Sequence, residues 1–334
     1  MKHRAWLLAA ALLAVLIAAH TALWWYAEQR LAAGVADWRA ALAAQGWHVR
    51  SGEPGFGGWP FAATRVYPNM SIEGGPVRLH AARLAVSVAP SHAGTVWLTA
   101  PDGLQVALPN VPVLRVSLQQ GQVAAPLRGA PFLALDAAAT QVASGERVLG
   151  AGRTHIRIDP RAAGVALSVS AQSIALPALP EGEDYALGPR LASLSGDAEL
   201  QGAVDPARLD AGALASWRDA GGGLTVARLA LGYGPLGLSA QGRFGLDGDL
   251  QPAGTAQLRI VGYQQTIQAL VAGHALTAAA GRAVGALLTL LATTPQDGGV
   301  PEVDTTLHLE HRTLSVAGYD LLRLRPVSWP AAQD

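Results

Sequence analysis

Few residues in this chain have the types and spacing that chemistry needs. GYGPLG at Gly232–Gly237 matches G-x-G-x-x-G. That loop cradles a dinucleotide only between a strand and a helix, whose N-terminus receives the pyrophosphate. The flanks here, LTVARLAL and LSAQGRFGL, both alternate like strands, so the spacing predicts a hairpin turn. In GLSAQG, Gln241 stands where a nucleophile elbow around Ser239 needs its last glycine. His308 and His311 bracket Glu310, but in a strand HLEH sends its two imidazoles to opposite faces, and metal ligands must converge. Asp247 and Asp249 suit a polar turn and supply too few oxygens for calcium. With no cysteine there is neither a thiolate nucleophile nor a disulfide. No acid, base, nucleophile and metal set converges, so the chain is expected not to be an enzyme and to carry no cofactor.

The most distinctive local string is GFGGWPF, Gly55–Phe61. Glycines free the backbone, Pro60 fixes a turn, and Phe56, Trp59 and Phe61 supply large apolar surfaces. The expectation is a turn whose aromatics plug the edge of the core. The functional alternative is contact with lipid, a membrane or a partner.

Elements that could position these groups begin with the apolar run Trp6–Tyr26. As a helix it spans roughly 30 Å, the thickness of a bilayer's hydrocarbon core. Lys2 and Arg4 precede the run and place its start in the cytoplasm, while Trp24, Trp25 and Tyr26 suit the far interface. Trp6, Leu12 and Leu16 complete the expected anchor contacts. A secretory signal has a shorter apolar stretch, and the small residues near Ala19 and Ala22 lead directly into Leu23, Trp24 and Trp25. An uncleaved anchor is therefore expected. The alternative is cleavage near Ala22. Leu31, Val35, Trp38 and Leu42 then make one helical stripe that Glu28, Asp37 and Arg39 avoid, and Gly46 suits the stop.

From Trp47 the period changes to two. Leu114, Val116 and Leu118 alternate with Arg115, Ser117 and Gln119, and Ile156 and Ile158 with His155, Arg157 and Asp159. Short strands between turn residues, with one apolar and one polar face, predict an antiparallel sheet. Opposite parity in Val77–Leu79 and Leu84–Val88 predicts a bulge near Ala81–Ala82. PALPEGEDYALGP marks a connector, Asp210–Ala220 a short helix, and residues 266–292 a helix packed along the sheet. The formal net charge of zero argues against nucleic acid as a partner. Half the residues are hydrophobic, too many for disorder. With 38 glycines and 21 prolines the chain is too turn-rich for a helical bundle.

An anchor, an amphipathic helix and a G-[FW]-P-F element leading into a strand, here Gly58-Trp59-Pro60-Phe61, resemble bacterial domain-of-unknown-function family 2125. Trp59 replaces the expected phenylalanine and keeps the aromatic role. The stretch from Trp217 to Tyr263 also fits, and its cadence resembles the C-terminal region of AsmA-like envelope proteins. The resemblance implies a tail-out inner-membrane protein with a long curved sheet, and several such relatives are implicated in lipid movement or outer-membrane homeostasis. It maps no active site onto this chain.

The expected fold is thus mainly β: a long twisted antiparallel sheet outside the membrane, curved around or covered by a packed helix, after one N-terminal transmembrane helix. Its parts are a cytoplasmic tip and anchor (1–26), an amphipathic helix (27–46), a β region (47–176), a connector (177–190) and an AsmA-like β region (191–330). The expected function is a periplasmic, membrane-anchored envelope protein that binds or passes lipid or another apolar ligand along a sheet groove. The alternative is a scaffold or assembly factor for another envelope protein.

Overall fold

A computed structural model describes residues 2–89, 92, 94–108, 111–127, 132–203, 210–294, 299–316 and 318–329, without the side chains of residues 2–10 and 321. One helix, α1 (Lys2–Ala44), runs through the expected anchor and the amphipathic segment without a break. It ends in a Schellman motif: Trp47 N–H bonds Leu42 O, Gly46 N–H bonds Ala43 O, and Gly46 has φ 82°.

β1 (His48–Arg50) and β2 (Gly55–Gly57) lead into a long hairpin, β3 (Ala63–Gly74) and β4 (Val77–Val88). Short strands follow: β5 (Thr95–Thr99), β6 (Leu104–Leu108), β7 (Val111–Gln119), β8 (Gln122–Pro126), β9 (Leu133–Ala137), β10 (Ala139–Ser144), β11 (Arg147–Ala151) and β12 (Thr154–Arg161). Longer elements come next: β13 (Gly164–Ala175), β14 (Arg190–Gln201), α2 (Ala211–Asp219), β15 (Gly223–Tyr233), β16 (Leu236–Leu246) and β17 (Pro252–Val261). The chain closes with α3 (Tyr263–Ala272), α4 (Ala278–Leu291), β18 (Ala292–Thr293), β19 (Glu302–Glu310), β20 (Thr313–Val316) and β21 (Tyr319–Arg323).

All described strands join one antiparallel sheet. Between β4 and β13 each step of the ladder is filled by two short strands lying end to end. β5 and β6 both pair with β4; β8 and β7 come next, then β9 and β10, then β12 and β11, which both meet β13. From β13 to β17 the strands are single and long, and β19, β20 and β21 follow. β13 and β14, on either side of the 177–190 connector, pair along their whole length. At about 4.8 Å between strands the sheet runs on the order of 60 Å along its contour.

Three local expectations change. The parity switch in β4 occurs without a register shift, because β3 switches at the same level: Asn69 takes φ 50°, and Pro68–Arg83 and Met70–Ala81 pair in one register. The expected single helix over 266–292 is two helices. Gly273 caps α3, His274 takes φ 57°, and the Thr277 hydroxyl caps α4 by accepting from Ala280 N at 3.2 Å. At 10 and 14 residues each is too short to span a bilayer, which needs about 20. Of the α1 stripe, Leu31 is buried (1% exposed) and Val35 packs, but Trp38 is exposed. Glu28, expected on the solvent side, is buried.

Elsewhere the local reading holds. GYGPLG is the β15–β16 hairpin, with Tyr233 opposite Leu236. α2 starts at the Asp210 cap, whose carboxylate accepts from Ala213 N. His311 and Arg312 turn the chain between β19 and β20.

Candidate functional site

Pairing brings the apolar residues of successive strands into rows. Val86, Leu98, Val123, Leu135, Ile156 and Val169 are cross-strand neighbours from β4 to β13. An adjacent row, Leu194, Leu231, Leu238, Ile260 and Val303, continues from β14 to β19. The first end is covered: Val86 is buried with Leu31 of α1, Tyr67, Met70 and Val88. At the far end Val303 is 0% exposed, where α4 packs on β19 and α3 on β16. Between the ends, from Leu98 to Ile260, every residue of both rows is only half-buried. The chain exposes 20878 Å² at 34.4 kDa, against about 13,000 Å² for a compact monomer of that mass, an excess to which the exposed helix α1 contributes as well as the sheet.

The opposite face is polar and its charges pair with one another. Arg228 bonds Asp197 at 2.7 Å, Arg259 bonds Asp304 at 3.0 Å, and Arg161 bonds Glu199 at 3.1 Å. The Ser168 hydroxyl, with Arg228 beside it, holds the Asp197 carboxyl below its ordinary value. Burial, then the neighbouring Tyr185, pushes the Tyr233 phenol up; its hydroxyl donates to Gly188 O at 2.8 Å. Asp136, His155 and Ser170 lie side by side on β9, β12 and β13. His155 Nδ1 meets Asp136 Oδ1 at 2.7 Å, but Ser170 makes no hydrogen bond to the ring, so the nucleophile–base contact of an acyl-transfer triad is not made.

A second cluster lies midway along α1. His20 Nε2 donates to Pro60 O at 2.6 Å, and Trp24 Nε1 donates to Ala62 O at 2.7 Å. One turn further up, Glu28 Oε1 accepts from Arg65 Nε (2.9 Å) and Nη2 (2.5 Å). Arg65 also stacks over the Phe56 ring at 4.9 Å. Gly58 makes the tight return: its φ is 91°, and a side chain there would strike the Ala62 carbonyl. Higher up, Arg39 bonds Ser51 Oγ at 2.7 Å and covers Tyr67, beside a cleft of about 430 Å³ that also touches Val35, Glu53 and Arg65.

Phe56, Trp59 and Phe61 do not plug the core. They are 65%, 54% and 85% exposed, because the sheet's apolar face at this end is already filled by α1. Of the anchor residues, Leu12, Leu16, Trp25 and Tyr26 are exposed, and Trp24 is half-buried beneath the loop. Trp6 lies in α1 with its side chain outside the described residues. The sequence reading missed His20, Glu28 and Arg65; the one available signal was an acidic residue two positions beyond the apolar run.

A family described as "Uncharacterized protein conserved in bacteria (DUF2125)" matches residues 24–325. The chain belongs to this DUF2125 family. The match takes in the Gly55–Phe61 loop and every described strand of the sheet. No curated protein and no solved structure matches the chain. Among the described residues of this DUF2125 protein, one helix is long and apolar enough to cross a membrane, over Ala11–Ala44.

Proposed function

We propose that this DUF2125 protein is a non-enzymatic, single-pass protein of the bacterial inner membrane whose sheet lies in the periplasm and holds or passes lipid on its apolar face. The observation that carries the reading is the pair of apolar rows, covered at both ends and only half-buried from Leu98 to Ile260. Acyl chains would cover such a face, since monomers rarely leave contiguous apolar patches beyond a few hundred Å² open to water. Orientation rests on Lys2 and Arg4 at the start of the apolar run. The AsmA-like cadence of the C-terminal third agrees by analogy only.

Mild-detergent extraction of the full chain followed by lipid mass spectrometry tests the reading. Phospholipid enriched over the bulk extract is expected. No enrichment, with the apolar face closed by protein in an experimental structure, overturns it.

A second reading, a scaffold for another envelope protein, is favoured by the free outer edges of β2 and β21, each paired on one side only among the described residues. Crosslinking in cells from Tyr319 on β21 would then yield one dominant protein partner.

A further inference from the structure

We infer that the Gly55–Phe61 loop is a membrane foot: Phe56, Trp59 and Phe61 enter the leaflet on the domain's side of the bilayer crossed by α1. This rests on α1 being a membrane span, as proposed above.

The height of the loop on the helix is fixed. His20 and Trp24, one turn apart, hold the Pro60 and Ala62 carbonyls at 2.6 and 2.7 Å. Measured from Arg4, at about 1.5 Å per residue, His20 lies about 24 Å and Trp24 about 30 Å along the helix. A hydrocarbon core is about 30 Å thick, so the Ala62 carbonyl falls at its far boundary and the Pro60 carbonyl about 6 Å inside it. Lifting the loop clear of the membrane would pull Leu23, Trp25 and Tyr26 into water with it, and all three are exposed on the helix.

Part of the loop's backbone is satisfied without water. Backbone groups poor in water need partners within the protein. Pro60 O and Ala62 O take theirs from the helix, and the N–H groups of Phe61 and Ala62 bond Gly58 O at 3.0 and 2.9 Å. The segment from Gly55 to Ala63 has no charged residue. Charges begin just above it, with Arg65 stacked on Phe56 and Arg30 on Tyr26, at the level of lipid headgroups. Aromatic side chains favour the interface, with an apolar body and, in tryptophan, a polar edge. An exposed aromatic trio held at this level thus matches a bilayer interface in chemistry and position.

The chain has no cysteine, so single-cysteine variants of the full protein need no background removal. Nitroxide labels at Phe61→Cys, Trp59→Cys, Leu16→Cys and Gln241→Cys would be compared in vesicles of phosphatidylethanolamine and phosphatidylglycerol. Leu16 reports the anchor, and Gln241 the polar face of β16. Expected is loss of relaxation by a soluble nickel chelate, with relaxation by oxygen retained, at residues 16, 59 and 61, and the reverse at 241. Adding His20→Ala and Trp24→Phe should restore chelate access at residue 61. Chelate access at 59 and 61 with protection at 16 overturns the foot and leaves the anchor standing. Chelate access at 16 as well overturns both.

Discussion

Glu28 on α1 and Arg65 on β3 share an ion pair whose side chains are 9% and 17% exposed. A buried charge that loses its partner is costly, so Arg65→Met alone is expected to destabilise the domain by about 3–5 kcal/mol. Glu28→Leu combined with Arg65→Met should recover most of that, because neither charge is then stranded. Urea unfolding of the two variants in detergent, followed by circular dichroism, measures the difference.

Leu31 is the helix's main anchor on the sheet, packed among Tyr67, Met70, Val86 and Val88. Leu31→Ala should cost about 2–5 kcal/mol through lost burial and the cavity left behind. Trp38→Ala, on an exposed position of the same stripe, should cost much less. If limited proteolysis within residues 27–44 is not faster in Leu31→Ala than in Trp38→Ala, the docking of α1 does not depend on this contact.

Leu231 sits between Leu194 and Leu238 on the uncovered face. Leu231→Asp should abolish lipid enrichment while leaving the far-ultraviolet spectrum unchanged, since the site is only half-buried. Ser239→Asp, on the other face of β16, should keep the enrichment. Equal lipid content in both variants would separate lipid from this face.

Asp197 and Asp102 are held below their ordinary carboxylate range, Asp197 by Ser168 and Arg228, Asp102 by the Arg83 hydrogen bond. A lowered folded-state value means stabilisation that is present above the unfolded value, about 3.9, and lost as pH falls through the folded value. Stability should therefore drop as pH falls below about 4. In the Asp102→Asn, Asp197→Asn double variant that drop should be shallower. Urea midpoints measured from about pH 6 down to about pH 2 check the sign.

Local features of the fold were legible because they depend on neighbours in sequence. Gly46 ends α1, Asp210 starts α2, and Gly234-Pro235 turns β15 into β16, each for a reason held within a few residues. The break between α3 and α4 was missed although its residues, Gly273 to Thr277, are local; the apolar composition on both sides masked it. Glu28 was misplaced for a different reason. A charge on a helix reads as solvent-facing unless its partner is known, and Arg65 lies 37 positions away. Sequence places Phe56, Trp59 and Phe61 at the edge of the core because aromatics beside a turn usually pack, but α1 already occupies that face.

By itself, the sequence determined an apolar N-terminal helix, a β-rich body and strands with one apolar and one polar face. Those follow from hydropathy at spacings of one to four residues, which the backbone geometry of helices and strands converts directly into faces. Only the tertiary structure decided which strands lie end to end, which stretch of the apolar face α1 and the α3–α4 pair cover, and where the loop meets the helix. Those depend on contacts between residues tens of positions apart. Local periodicity says that a face is apolar, and long-range pairing sets what lies against it.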